Sequence, residues 1–236
     1  MSRIFFFCLL LFAVSCSQSS EVFLEKGKSL LREGKTREAI EYLNKAIDKD
    51  LRNAEAFNTR GVAYFELKEY PNALLDYDQA ARLKPDYYRP YFNRALLHTA
   101  QNNLDSALAD YNQAARLAPD TADIYLNRGQ VQVLRNEASL AIPDFEKATQ
   151  LAPQNTQAWY NLGNLYFRQQ EYGQAVLALR QATKLDPQFG KAFYGLGLAQ
   201  WQTGEKENGC GSFRQAQRLG YQEAGAALQT YCAGIE

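Results

Sequence analysis

The chain has 236 residues, 46% of them hydrophobic and 22% charged, with a formal net charge of +0. This is the composition of an ordinary folded protein, and a balanced charge excludes the basic field that a nucleic-acid binder needs. One histidine and, beyond the amino-terminal segment that holds Cys8 and Cys16, only two cysteines argue against a metal centre, and no cofactor is expected.

The amino terminus reads as a separate object. Residues Ile4 to Val14 form an unbroken apolar run, preceded by Arg3 and followed by small and polar residues, the pattern of an export signal. The run is far short of the ~20 residues that cross a bilayer as a helix. At its end, Ala13-Val14-Ser15-Cys16 resembles the lipobox of bacterial lipoproteins, departing from it at Ala13, where leucine is commoner. The resemblance implies that residues 1–15 are removed and that Cys16 is acylated. Ser17 stands where an inner-membrane retention aspartate would sit, which in that family implies an outer-membrane anchor facing the periplasm. Residues 16–20 then form a lipidated polar tether.

A period of 34 residues runs through the rest. Gly27, Gly61, Ala95, Gly129, Gly163 and Gly197 fall in one column, and Ala46, Ala80, Ala114, Ala148, Ala182 and Ala216 in another. Phe23, Phe57, Tyr91, Tyr125, Trp159 and Phe193 open successive units, and Leu43, Tyr77, Tyr111, Phe145, Leu179 and Phe213 recur further on. Within a unit the apolar positions are spaced by three and four, which predicts two helices. Small residues let the helix axes approach while large ones fill between layers. Pro85, Pro119, Pro153 and Pro187 end the second helices, and Gly34 and Gly204 mark turns between helices.

These columns resemble the tetratricopeptide repeat over residues 20 to 219. The resemblance implies an all-α, right-handed superhelical solenoid of six hairpins: 20–53, 54–87, 88–121, 122–155, 156–189 and 190–219. Residues 220–236 add a capping helix, with Ala224, Ala227, Leu228 and Tyr231 on one side. Repeat arrays are held by nearest-neighbour contacts and need such caps.

Three details qualify the repeat. Arg60, Arg94 and Arg128 at position 7 accompany Asp76, Asp110 and Asp144 at position 23, whereas unit 5 has Leu162 with Ala178. This predicts three structural ion pairs, each between the two helices of one unit. Pro143 falls inside the second helix of unit 4, so that helix is expected to start late or bend. Cys210 and Cys232 are the pair left once Cys8 and Cys16 are accounted for, and antiparallel helices would bring them together as a disulfide pinning the cap. A redox pair is disfavoured because C-x-x-C spacing is absent.

Chemistry is hard to find. His98 sits at a packing position that Tyr64 and Tyr166 occupy in other units, with no serine and aspartate set around it. Gly195-x-Gly197 lacks the strand and third glycine of a dinucleotide loop, and no zinc-protease or phosphate-loop motif occurs. The chain is therefore not expected to be an enzyme.

In the tetratricopeptide family the first helix of each unit lines a concave groove through positions 2, 5, 6, 9, 12 and 13. Carried over, the resemblance implies groove residues Asn58, Arg89, Phe92, Asn93 and Leu126 from units 2 to 4, with Asn127 and Gln130. Units 5 and 6 supply Tyr160, Asn161, Asn164, Phe167, Tyr194 and Trp201, with Lys191. Asn93, Asn127 and Asn161 form an amide column suited to an extended peptide backbone. The implied role is a scaffold or adaptor that holds a protein or peptide partner. A scaffold for polysaccharide export or glycan binding is the alternative. Oligomeric state is left open by the sequence.

Overall fold

The computed structural model describes residues 19–234. The expected export signal, the proposed Cys16 anchor and the start of the expected tether lie outside the described residues. Among the described residues there are thirteen helices and no strand, and no helix is long and apolar enough to cross a membrane. The chain divides into two compact units, one ending at Leu83 and one beginning at Lys84.

The first unit holds α1 (Ser20–Arg32), α2 (Thr36–Lys49), α3 (Ala54–Glu66) and α4 (Tyr70–Leu83), packed as two hairpins. Leu24, Leu30, Leu43 and Ile47 are buried together, with Phe57 against them. The second unit holds α5 (Tyr88–Ala100), α6 (Leu104–Leu117), α7 (Ala122–Leu134), α8 (Ala138–Leu151), α9 (Thr156–Arg168), α10 (Tyr172–Leu185), α11 (Gly190–Gln202) and α12 (Lys206–Arg218). A shorter helix, α13 (Glu223–Tyr231), follows and packs on α12.

Each hairpin closes in the same way. Residues 34, 68, 102, 136, 170 and 204 all take positive φ, between 60° and 83°. At the first of these hairpins to lack glycine, Lys68 N–H donates to Phe65 O at 2.9 Å and Glu69 N–H to Tyr64 O at 2.8 Å. This double bond pattern satisfies the orphan carbonyls at the helix end. Glycine takes that conformation at no steric cost, and only Gly34 and Gly204 use it. Lys68, Asn102, Asn136 and Gln170 accept the strain instead. The turn is thus fixed by the tertiary contacts of the hairpin, and the residue type follows only in part.

Helix contact within a hairpin depends on the small-residue column. A Cβ on Gly197 would lie 2.6 Å from the Phe213 ring, and one on Gly163 2.6 Å from Leu179 Cγ. Real side chains do not approach so closely, so glycine sets the helix separation and the facing large residue fills the space to core density.

Polar pairs lie beside the core within each unit. Arg60 donates from Nε and Nη2 to both Asp76 oxygens at 2.8 Å, and Nη1 reaches back to Asn44 Oδ1 at 2.7 Å. Arg94 holds Asp110 in the same bidentate way, at 2.8 and 2.6 Å. Arg128 holds Asp144 at 2.8 and 2.6 Å and also donates to Asn112 Oδ1 at 2.9 Å. Each guanidinium lies over the aromatic ring three residues earlier, Phe57, Tyr91 or Tyr125, at 5.4–5.6 Å, as the i, i+3 spacing permits. Arg60 and Arg128 therefore tie their own hairpin together and also grip the preceding one. Burial pushes the Asp76 carboxyl up from its usual range, against the pull of Arg60.

Unit 5 solves the same problem without charge. Leu162 and Ala178 are both buried, and Glu146, at the position equivalent to Asn112, accepts instead from the Tyr166 hydroxyl. Pro143 does not delay its helix. The α8 helix starts at Ala138, in register with α6, and runs through the proline to Leu151. The carbonyl that loses its partner belongs to Ser139, an exposed residue in the first turn, where a missing helix bond costs less than in the interior.

Cys210 and Cys232 end up side by side, with Cα atoms 5.7 Å apart and sulfurs at bonding distance. Around them Phe213, Ala227, Trp201 and Tyr231 close the end of the array.

Candidate functional site

In the second unit two adjoining depressions run along the first helices α7, α9 and α11, and a larger one of 820 Å³, lined by Gln174, Leu177, Arg180 and Gln202, lies toward the second helices. A depression of 400 Å³ is lined by Gln130 and Val133 of α7, Tyr160, Asn161 and Asn164 of α9, and Lys191 of α11. A second, of 260 Å³, adjoins it and adds Phe167, Tyr194, Leu198 and Tyr221. Tyr160, Asn164, Arg168 and Lys191 border both. Together they form a shallow trough with an aromatic floor, amides on one helix and two cations at the rim. A few oriented polar groups over apolar surface is the usual makeup of a recognition site.

The floor is rigid because its rings lean on the core. Tyr160 packs against Phe189 with ring centroids 4.8 Å apart, and Lys191 Nζ lies 5.6 Å from the Tyr160 centroid. Phe167 leans on Tyr172 at 5.4 Å, and Tyr194 on Tyr221 at 5.0 Å. Burial raises the hydroxyl pKa of Tyr194 and Tyr221, with Glu223 adding to both, so both remain neutral hydrogen-bond donors.

The residues carried over from the family pattern are distributed unevenly. Gln130, Tyr160, Asn161, Asn164, Phe167, Tyr194 and Lys191 line the trough. Arg89, Phe92 and Asn93 line a separate depression of 170 Å³ between α5 and the start of α7. Three do not present an open surface. Asn58 is 6% exposed, Leu126 is 9% exposed inside a core cluster, and Trp201 packs on Tyr231 at 5.2 Å beneath the cap. For these three the expected groove lining is not met, because neighbouring side chains fill the space in front of them.

The amide column is also broken up. Asn127 Nδ2 donates to Asp123 O within its own helix at 2.7 Å, and Asn161 Oδ1 accepts from Gln157 Nε2 at 2.7 Å. Asn161 keeps its donor group for a ligand, and Asn164 stands closer to the trough's centre than the column suggested. Sequence reasoning did not single out Arg168, Leu198 or Tyr221. Arg168 stands at position 13 of its unit, which is a signal that was available. Tyr221 enters from the link before α13, which no repeat pattern indicates.

Among the described residues no group of three or more metal-binding side chains converges. His98 is half-buried with Nε2 3.9 Å from Asp110 Oδ2, which places it beside a structural ion pair.

Comparison with known proteins matches the same architecture. Tetratricopeptide-repeat sequence models match residues 24–88, 97–160 and 145–176, and a TPR repeat model matches 163–204. A DnaJ homolog subfamily C member 3 homolog of Dictyostelium discoideum is 39% identical over 72 residues, 30% of this chain and 14% of that protein. RNA polymerase II-associated protein 3 of Rattus norvegicus is 35% identical over 89 residues, 38% of this chain and 14% of that protein. The chain thus spans only a small part of the curated relatives it matches. Among solved structures, Pseudomonas aeruginosa pilF gives a TM-score of 0.78 at 20% identity, over 88% of this chain and 97% of that one. YrrB, described as a TPR protein with an unusual peptide-binding site, gives 0.71 at 21% identity, over 79% of this chain and 97% of that one. MamA gives 0.64 at 20% identity, over 70% of this chain and 96% of that one. At these identities the structures speak for the fold alone; proteins of the repeat family that the sequence models match generally mediate protein–protein interaction. Hairpin by hairpin and in its sequence matches, this chain is built of tetratricopeptide repeats.

Proposed function

We propose that the protein is a non-catalytic adaptor that holds a peptide segment of a partner protein in the α7–α9–α11 trough. The observation that carries this reading is the trough itself. Asn161 and Asn164 offer amides to a backbone, Phe167 and Tyr194 offer apolar area at low entropic cost over a floor closed by the mostly buried Tyr160, and all sit on rigid helices. The test compares proteins co-purified from detergent-solubilised membranes by the parent and by the Asn161→Ala/Asn164→Ala variant. The variant should lose the partners that the parent holds; equal recovery would exclude this face.

In the same proposal the adaptor is tethered at the bacterial outer membrane, facing the periplasm, through an acylated Cys16. The apolar run and the Ala13-Val14-Ser15-Cys16 pattern support this. Durable anchoring needs more than one acyl chain, which the lipoprotein modification supplies. Labelling with an alkyne fatty acid should vanish in Cys16→Ala, and label retained in that variant would contradict the anchor. An oxidising envelope compartment also suits a Cys210–Cys232 disulfide; thiol counting on the denatured protein should then find neither cysteine free.

A further inference from the structure

We infer that the solvent side of the second helices α8 and α10 is a lipid-facing surface that rests on an anionic bilayer; the setting comes from the membrane anchor proposed above, and the trough plays no part in it. Each of these helices packs on the first helix of its own unit and on that of the next. Positions 19, 22, 26 and 29 of a unit recur at helix spacing and share the remaining side, where they are exposed or half-exposed. In units 3 to 6 these positions hold four cations, Arg116, Lys147, Lys184 and Arg218, and no carboxylate. The chain as a whole has 26 basic and 26 acidic residues, so this side departs from the general balance. Unit 1 uses the same side differently: there Glu38, Glu41 and Asp48 surround Lys45.

Positive charge alone would suit any polyanion; the apolar centre of this side selects a bilayer. Position 22 is uncharged in each of these units, as Ala109, Pro143, Leu177 and Gly211, and Leu140 stands one turn before Pro143. Leu140 and Leu177 are 56% and 61% exposed. Exposed leucines bordered by cations describe a surface that lies in the headgroup region, leucines toward the acyl boundary and cations at the phosphates. The acids of α6 and α8 are engaged elsewhere. Asp110 and Asp144 are buried on Arg94 and Arg128, Asp105 meets Arg135, and Glu146 accepts from Tyr166. The α10 helix has no acid of its own. Glu171 and Glu205 border Leu177 from the hairpin turns, so the phosphates should meet the opposite helix ends, where Lys147 and Lys184 stand. Helix dipoles favour the last-turn cations Arg116 and Lys184 but explain neither Lys147 nor the two leucines.

The experiment is co-sedimentation of the expected mature chain, residues 17–236, made without its leader so that no acyl chain contributes. The probes are vesicles of phosphatidylcholine alone and of phosphatidylcholine mixed equally with phosphatidylglycerol. The chain should sediment with the mixed vesicles, less so at high salt, and stay in solution with phosphatidylcholine. Lys147→Gln/Lys184→Gln should weaken binding to the mixed vesicles about tenfold, and Leu140→Gln/Leu177→Gln about fivefold, with circular dichroism unchanged because these side chains face solvent. Both variants should still recover the partners of the parent, so a failure of this surface and a failure of the trough are read apart. No sedimentation with the mixed vesicles, equal sedimentation with both, or sedimentation that both variants retain would overturn the lipid surface, while fatty-acid label on Cys16 would leave the anchor standing. Retention on immobilised polyglutamate without sedimentation on vesicles would overturn it in favour of an acidic polymer.

Discussion

Hairpins α7–α8 and α9–α10 share one backbone plan and are held by opposite chemistry. In the first, Arg128 and Asp144 form a bidentate pair that is mostly buried, with the guanidinium over Tyr125 and one nitrogen on Asn112. In the second, Leu162 and Ala178 occupy the same two places, and Glu146 is served by Tyr166. Since both hairpins form, the ion pair is not needed to close a hairpin. A buried pair recovers its desolvation cost only when geometry is good, and its directional bonds specify register where apolar contact would tolerate sliding. The apolar version frees α9 from that network, and α9 is the helix that carries Tyr160, Asn161, Asn164 and Arg168 into the trough.

The sharpest way to break this comparison is to put the charge where no partner exists. Leu162→Arg should cost about 4 kcal/mol, because an unpaired cation would replace a residue only 4% exposed. Asp144→Ala should cost about 3 kcal/mol by stranding Arg128; both losses are readable as shifts of the urea midpoint. Cys232→Ser should release α13 with a loss of about 3 kcal/mol, seen as faster amide exchange in that helix and little change in α7 or α8. Arg128→Leu/Asp144→Ala, which copies unit 5 into unit 4, should return to within about 1 kcal/mol of the parent. If the double variant is as damaged as Asp144→Ala, the two hairpins are not interchangeable. The smallest effect is a gain: Gln170→Gly, at φ 62°, should stabilise by about 0.5 kcal/mol by relieving left-handed strain, offset by glycine's larger entropy.

Much of the fold was legible because the columns are dictated by packing. Gly197 faces Phe213 and Gly163 faces Leu179 at distances that permit no other residue without movement, so the period was written in residue size. Less legible were features set by context. Lys68 and Gln170 carry no mark of a left-handed turn, since the hairpin imposes that conformation on whatever residue stands there. Nothing in Asn112 alone announces that it receives Arg128 from the next hairpin. The site was only partly readable for the same reason. Asn58, Leu126 and Trp201 occupy wall positions in sequence, but larger neighbours and the cap cover them, whereas Tyr221 reaches the trough from outside the repeat altogether.

Amide chemical-shift mapping of the full chain against a peptide from a co-purified partner tests the central claim most directly. Changes should concentrate on Asn161, Asn164, Arg168, Lys191 and Tyr194. Changes centred instead on the second-helix side, at the 820 Å³ depression lined by Gln174, Leu177, Arg180 and Gln202, with the α9 and α11 face silent, would contradict it.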